Sequence, residues 1–154
     1  MEEQWPRMSR SLLLTVQMTR VLALLGRGQA AMLASLAEPG SRGPMAIASR
    51  CARRIERTGT RWGKPLAGLL RGAVAAREGR REEAQALLAR AARDADVAEM
   101  PSHAAVARRR QGELAGGEEG RALIAAANMW MAAHGVRNPD RFVQLIAPGF
   151  AQAG

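Results

Sequence analysis

Two helical patterns follow one another between positions 65 and 96. The first is Pro65-Leu66-Ala67-Gly68-Leu69-Leu70-Arg71-Gly72-Ala73-Val74-Ala75-Ala76-Arg77-Glu78-Gly79, and the second is Arg80-Arg81-Glu82-Glu83-Ala84-Gln85-Ala86-Leu87-Leu88-Ala89-Arg90-Ala91-Ala92-Arg93-Asp94-Ala95-Asp96. In both, apolar residues recur at steps of three and four, which places them on one face of a helix. Pro65 suits a first turn, because the N–H that it lacks would have no partner there. Gly79 allows only a short connection, so the two helices are predicted to be antiparallel.

The same periodicity continues towards the N-terminus. A first helix is predicted over about 9–26, and Gly26 and Gly28 are expected to break it before a short second helix that reaches about position 37. The inward face of the first helix would comprise Leu14, Met18, Val21, Leu22 and Leu25. The Gly- and Pro-rich stretch 38–44 is predicted to be a loop and a candidate boundary. A third helix is predicted over about 45–57, with an inward face of Ala48, Cys51, Ala52 and Ile55.

Three more helices are predicted after position 100. Two form a pair over 101–115 and 118–134, and Asn138, an N-cap followed by Pro139, opens a last short helix. Residues 136–150 would cap the array, because a helical repeat buries its face only against a neighbour. The apolar residues expected to seal this end are Trp130, Met131, Phe142, Leu145, Ile146 and Phe150. Residues 1–154 are thus predicted to be a single all-α domain, an antiparallel helix-hairpin array of about eight helices.

The composition agrees with an all-α protein that has an apolar core. Apolar residues make up 47% and aromatic residues 3%, and about a fifth of the chain is Ala, which favours helices over strands. Cys51 is the only Cys, so an internal disulfide is excluded, and no Cys/His cluster indicates a metal site. Cys51 is expected to be buried and unreactive. No cofactor or metal is predicted.

The basic charge and the N-terminus each suggest a function that closer inspection does not favour. The net charge is +9, but 22 of the 23 basic residues are Arg, an excess typical of GC-rich genomes. At the N-terminus, Thr15 and Gln17 interrupt the apolar run after Arg10, unlike a signal peptide. No run approaches the ~20 apolar residues that cross a bilayer. A cytoplasmic protein without a membrane partner is therefore predicted.

Residues 65–96 resemble a tetratricopeptide repeat, a helix–turn–helix unit with small residues at fixed positions. The matching positions are Gly72, Gly79, Ala84, Leu88 and Ala91. The departures are Gly68 in place of Trp or Leu, Ala75 in place of Tyr, and Asp96 in place of Pro. The resemblance implies a right-handed solenoid whose first repeat helix lines a concave, partner-binding surface. By motif position, the residues on that surface are Leu66, Leu69, Ala73, Ala76 and Arg77.

A second resemblance extends over about residues 50–150. It rests on the runs 53–57, 62–72, 108–120, 130–141 and 145–150. These runs are similar to the C-terminal helical regions of large myxobacterial serine/threonine protein kinases. In that family a kinase domain precedes a tetratricopeptide-like tail that binds partners or regulates the enzyme. The resemblance implies that this chain is such a tail, and leaves open whether a kinase domain precedes it.

The motifs do not indicate catalysis. The sequence has no His-Arg-Asp loop, no Asp-Phe-Gly and no glycine-rich nucleotide loop. Residues 59–65 are one residue short of a phosphate-binding loop and carry Pro65 where Ser or Thr must hold Mg²⁺. His103 and His134 have no acidic or Ser partner at a useful spacing, and are expected at the surface or at a helix end. The chain is therefore predicted not to be an enzyme.

One helix face carries a row of Arg residues, here called the basic stripe. Its members, spaced at i, i+3, i+4 and i+7, are Arg50, Arg53, Arg54 and Arg57. Guanidinium groups bind carboxylates and phosphates, so the stripe could hold an acidic helix or nucleic acid, although a solvated face also accounts for it.

Three functions remain open from the sequence. The leading one is a module that binds a protein or peptide on a concave face. A nucleic-acid-associated domain would use the basic stripe and lose affinity steeply with salt. A small-molecule-sensing domain, such as the effector region of a transcription regulator, would show a thermal shift with its ligand. The sequence does not set the oligomeric state.

Overall fold

The computed structural model describes residues 5–37 and 40–150, with side chains from residue 16 onward. Every element in these ranges is a helix, and there are seven of them. In chain order they are α1 (Trp5–Ala37), α2 (Arg42–Glu56), α3 (Gly63–Arg77), α4 (Arg81–Val97), α5 (Pro101–Ala115), α6 (Gly117–Ala133) and α7 (Pro139–Ile146). The all-α class and the paired helices of positions 65–96 and 101–134 are therefore confirmed.

The helix packing follows the chain order, with a second set of contacts between alternate helices. Each helix from α1 to α6 packs against the next one along the chain. In addition α3 contacts both α1 and α5, and α5 contacts α7. Helices α1, α3 and α5 thus form one layer, in which α3 lies between the other two. Two of these helices, α1 and α5, bind the residues that follow α7.

The prediction of eight helices is wrong by one, because α1 continues through Gly26 and Gly28. Both glycines were expected to end a helix, because a Gly inside a helix costs about 1 kcal/mol relative to Ala. Gly28 instead lies where two other helices come close to α1. A Cβ built on it would be 2.8 Å from Leu70 Cδ1 and 3.3 Å from Cys51 Cβ. Gly28 therefore allows close packing within a continuous helix.

The predicted inward face of α1 is confirmed in part. Val21 is buried and Leu25 is partly buried against the core as predicted, whereas Met18 and Leu22 are 50% and 52% exposed and Leu24 is buried instead. The buried face continues beyond Gly26 through Gly28, Ala31, Met32 and Ser35. The side chain of Leu14 lies outside the described residues.

The predicted loop 38–44 is shorter than expected, since α2 begins at Arg42 and includes Gly43 and Pro44 in its first turn. Proline is compatible with a first turn because its absent N–H has no helical partner. Residues 38–39 of this loop lie outside the described residues. The predicted inward face of α2 is confirmed: Ala48, Cys51, Ala52 and Ile55 are buried. Among the described residues, no helix is both long and apolar enough to cross a membrane.

Small residues set the closest helix crossings. Where α3 meets α4, a Cβ on Gly68 would be 2.8 Å from Ala91 Cβ, and one on Gly72 would be 3.0 Å from Leu88 Cδ2. Gly68 departs from the large residue of the repeat motif because α4 leaves no space for one. Between α3 and α4, Gly79 has a φ of 77°, which favours glycine at this turn.

Asn138→Ala is expected to lower the free energy of unfolding by about 1 kcal/mol, because α7 would lose its N-cap. The Asn138 side chain accepts a hydrogen bond from the Arg141 backbone N–H at 3.0 Å. Ser41 is a matched control, since it occupies the N-cap of α2 without a side-chain capping bond. Urea denaturation should show Ser41→Ala close to wild type. Equal losses in the two variants would contradict the assigned cap.

Candidate functional site

The residues predicted to line an open concave surface lie mostly in the core. Leu66, Leu69 and Ala73 are 3%, 3% and 1% exposed. Ala76 and Arg77 are partly buried, and Ala76 packs against the same core. These residues are therefore largely buried in the structure, and their role as a partner-binding surface stays a prediction.

Arg77 connects α3 to α1. Its Nη2 donates to the Ser35 carbonyl oxygen at 2.8 Å, and the Ser35 hydroxyl donates to the Met32 carbonyl oxygen at 2.7 Å. The Nε of Arg77 is buried without a hydrogen-bond partner among the described residues. Arg77 therefore joins α3 to α1, two helices of the same layer.

Residues Ala147–Phe150, here called the tail segment, follow α7, and α1 contacts both the end of that helix and the segment. Gln29 Nε2 donates to the last-turn carbonyl oxygens of α7, those of Ile146 and Leu145, at 2.9 and 3.3 Å. Gly149 also lies against α1, since a Cβ built on it would be 2.6 Å from Met32 Cε. Its φ of 95° is a conformation that favours glycine. Both the space and the backbone thus exclude a larger residue at 149.

Arg110 of α5 also binds the tail segment. Its Nε and Nη2 both donate to the Ala147 carbonyl oxygen, at 3.1 and 2.9 Å. The guanidinium carbon lies 4.7 Å from the centre of the Phe150 ring, within the range of a cation–π interaction. Glu113 accepts a further bond from Nη1 at 2.7 Å. Burial lowers the pKa of Arg110, and the Glu113 carboxylate opposes that shift.

The tail segment connects α1 with α5, the two helices between which α3 lies. Met32 of α1 lies against Gly149, and Arg110 of α5 binds the Ala147 carbonyl oxygen. Residues 147–150 are all buried, and Phe150 belongs to the same apolar core as Leu66, Leu69 and Ala73. The surface between α1 and α5, here called the groove, is thus occupied by the tail segment.

The apolar cluster predicted to seal the C-terminal end is confirmed in part. Met131 and Phe150 are buried. Trp130, Phe142 and Ile146 are partly buried against the core. Leu145 is 74% exposed, so its predicted core role is wrong. It lies two positions after the buried Val143, and residues two apart point to different sides of a helix.

A polar cluster next to Arg110 fixes α7, from which the tail segment emerges. Arg109 donates to Glu113 Oε1 at 3.2 Å, to Asn128 Oδ1 at 3.0 Å and to Asp140. Arg109, Arg110, Glu113 and Asp140 line a cavity of about 320 Å³. Two guanidinium groups face two carboxylates, so the charge of the cluster is balanced internally. The cluster therefore joins α5, α6 and α7 and has no excess charge with which to attract an ion.

His103 lies seven residues before Arg110, on the same face of α5. Its Nδ1 is 3.2 Å from the Ser102 hydroxyl, and desolvation by burial lowers its pKa. The folded protein therefore binds a proton at His103 less readily than the unfolded chain does. The free energy of unfolding is therefore unaffected by His103 above the unfolded pKa of about 6.5, and it decreases as the pH falls below that value.

The free energy of unfolding is accordingly expected to be lower at pH 6.0 than at pH 7.5, as measured by urea denaturation. His103→Gln should reduce that difference, because Gln does not titrate. An undiminished pH dependence in this variant would assign the effect to other groups.

The basic stripe lies on the surface as predicted. Its four residues are exposed, on the side of α2 away from the buried Ala48, Cys51, Ala52 and Ile55. In the described part of the chain, none of the four guanidinium groups forms a hydrogen bond or ion pair. Nearby, Arg71 pairs with Glu56 at 3.0 Å. The stripe is therefore accessible positive charge.

Comparison with known proteins yields no match, whether to protein-family models, to curated proteins or to solved structures. The resemblances to tetratricopeptide repeats and to kinase tails thus rest on the quoted residues alone.

Sequence reasoning did not identify Gln29 or Arg110 as residues that bind the C-terminal part of the chain. In the run 108–110 the three Arg residues lie on different sides of α5. Arg108 pairs with Asp96 at the surface, Arg109 joins the polar cluster and Arg110 is buried. The sequence does contain a signal for this site, the run Ala147-Pro148-Gly149-Phe150. The run is uncharged and cannot continue a helix, and its Phe150 favours a buried position.

Proposed function

We propose that this protein is a non-catalytic protein-interaction module that holds an extended segment of a partner protein in the groove. Its seven helices would form a tetratricopeptide-like right-handed solenoid. The resemblance to kinase C-terminal regions supports a regulatory role in bacterial signalling, with the chain acting as the cytoplasmic tail of a serine/threonine kinase.

One observation carries the proposal: a buried side chain of α5, Arg110, already binds a main-chain carbonyl oxygen of an extended segment, and Met32 of α1 packs against Gly149 of the same segment. A carbonyl oxygen is a group that every peptide presents. Main-chain bonds of this kind give affinity, while neighbouring apolar pockets give specificity. The apolar core that contains Phe150 supplies such a pocket. Exposed Arg residues would add electrostatic steering towards an acidic partner.

The proposal is tested with the purified chain as bait in nuclease-treated lysate of its source organism, at near-physiological salt. We expect specific proteins to be retained, and to be retained equally by a variant that combines Arg53→Glu with Arg54→Glu. The charge reversals lie on the exposed stripe, so they should leave the fold and the groove intact.

An unrelated protein of similar net charge serves as the control bait. If the two baits retain the same proteins, the binding reflects charge and the proposal fails. Leu69→Glu is not used to test the concave face, because a buried carboxylate at this position would unfold the chain.

A second candidate function, nucleic-acid binding, is favoured by the unpaired guanidinium groups of the basic stripe. Their i, i+3, i+4 and i+7 spacing lets several of them reach one phosphate backbone. The stripe carries no aromatic residues on which bases could stack. It would therefore bind the backbone without reading sequence.

This candidate is tested by the salt dependence of binding to a fluorescent DNA duplex. The logarithm of the affinity should fall with the logarithm of salt concentration by about 0.9 for each phosphate neutralised. The Arg53→Glu and Arg54→Glu variant should bind at least about tenfold more weakly, if each lost contact is worth about 1 kcal/mol. Equal binding by wild type and variant would exclude the stripe as the site.

A further inference from the structure

We infer that the tail segment is an intramolecular ligand that competes with the partner for the groove. This inference rests on the proposed function and deepens it, since it names both the chemistry of the partner and the regulation of the site. The partner would present an extended, uncharged segment in which a small residue, Pro, Gly and an aromatic residue follow one another, as in Ala147–Phe150.

The contacts of the tail segment define what the groove accepts. Arg110 places a two-pronged donor at the Ala147 carbonyl oxygen and a cationic face against the Phe150 ring. Met32 leaves no room for a Cβ at position 149. A competing segment therefore needs an aromatic residue three positions after the bonded carbonyl, with a Gly immediately before the aromatic residue.

The tail segment is attached in a way that allows it to leave while the rest stays folded. It follows α7, a helix of only eight residues, and α1 and α5 contact it through the side chains of Met32 and Arg110. Helices α1 to α6 pack against their chain neighbours without it. Because the segment is tethered, its effective concentration at the groove is of order mM, so a free segment at µM concentration competes poorly until the tail is loosened.

Opening of the tail is measured by thiol labelling in the full chain carrying Met32→Cys. This protein has two buried thiols: the new one, at the position that packs against Gly149, and Cys51 of α2, which faces Gly28 of α1. Global unfolding exposes both equally, so their labelling ratio, read by mass spectrometry, reports local opening. We expect position 32 to be labelled at least about tenfold faster than Cys51, which corresponds to a difference of about 1.4 kcal/mol in opening.

Adding Phe150→Ala should raise the labelling of position 32 by roughly 100-fold, as expected for the loss of a buried aromatic ring. The labelling of Cys51 should rise by no more than the same factor, because the loss of the ring also lowers the free energy of global unfolding, so position 32 should stay the faster of the two. Equal labelling of the two thiols in the parent protein would show that the tail opens only when the chain unfolds. That result would overturn the inference while leaving the retention of partners by the bait unaffected.

Displacement is measured with a fluorescent peptide of the sequence of residues 143–150. Full-length Phe150→Ala should bind it at least about tenfold more tightly than wild type, because the competitor in cis is weakened. A peptide with the final Phe replaced by Asp should not bind. If neither protein binds the peptide, the tail is not a replaceable ligand and the inference fails. A wild-type dimer in which tails are exchanged would assign the groove to a second copy and would likewise overturn the partner proposed here.

Discussion

Gly120→Ala is expected to destabilise the protein by about 3 kcal/mol, one of the two largest effects of a single substitution in this fold. Gly120 of α6 faces Gly112 of α5 at the crossing of the two helices. A Cβ on Gly120 would be 2.5 Å from the Gly112 carbonyl oxygen, and one on Gly112 would be 2.7 Å from the Gly120 carbonyl oxygen. Both obstacles are backbone atoms, so a change of side-chain rotamer cannot relieve the clash.

Gly26→Ala is the matched control for this substitution. Gly26 is an exposed residue inside α1, and a Cβ built on it meets nothing within 4 Å. The control should stabilise the protein by about 0.5–1 kcal/mol, because Ala loses less backbone entropy than Gly in a helix. Urea denaturation of both variants measures the difference between their free energies of unfolding. In thermal unfolding, the Tm of Gly120→Ala should be about 6–12 °C below that of wild type. A stability gain in both variants would contradict the close crossing.

The helices could be predicted from the sequence because their apolar periodicity and their turn residues agree. The pairs at 65–96 and 101–134 each have a Pro in the first turn of their first helix and Gly between the helices, and the apolar stripes are clearer in the first pair. The structure has both pairs within a few residues of the predicted ends. The error at Gly26 and Gly28 arose because a single sequence does not distinguish a glycine that ends a helix from one that allows a neighbouring helix to pack closely. Only the position of Leu70 against Gly28 distinguishes them.

The site could be predicted only in part. The resemblance selected the α3 face with Leu66, Leu69 and Ala73, and these residues are buried in the core that also contains Phe150. It did not indicate that the tail segment occupies the groove, because the bonds of Gln29 to the end of α7 and of Arg110 to the segment span 117 and 37 positions. Such long-range contacts leave no local periodicity. The polarity of Arg110 suggested surface, and only its bonds to a buried carbonyl explain why it is inside.

Arg110→Ala is expected to lower the free energy of unfolding by about 3 kcal/mol, the other large effect. The Ala147 carbonyl oxygen would lose both of its donors, and Phe150 would lose the cation that lies on its ring. Glu113 would keep a bond from Arg109, which limits the loss. Arg110→Lys should recover part of the stability, because Lys retains the charge but cannot form the two-pronged bond.

Arg108→Ala controls for the removal of a neighbouring charge. Arg108 is a partly exposed residue that pairs with Asp96, and loss of a surface ion pair costs at most about 1 kcal/mol. A double-mutant cycle between Arg110→Ala and Phe150→Ala should give a coupling of about 1 kcal/mol or more, since the two side chains are in contact. Losses that add without coupling would show that Arg110 stabilises α5 independently of the tail segment, and its assigned role in holding that segment would then be wrong.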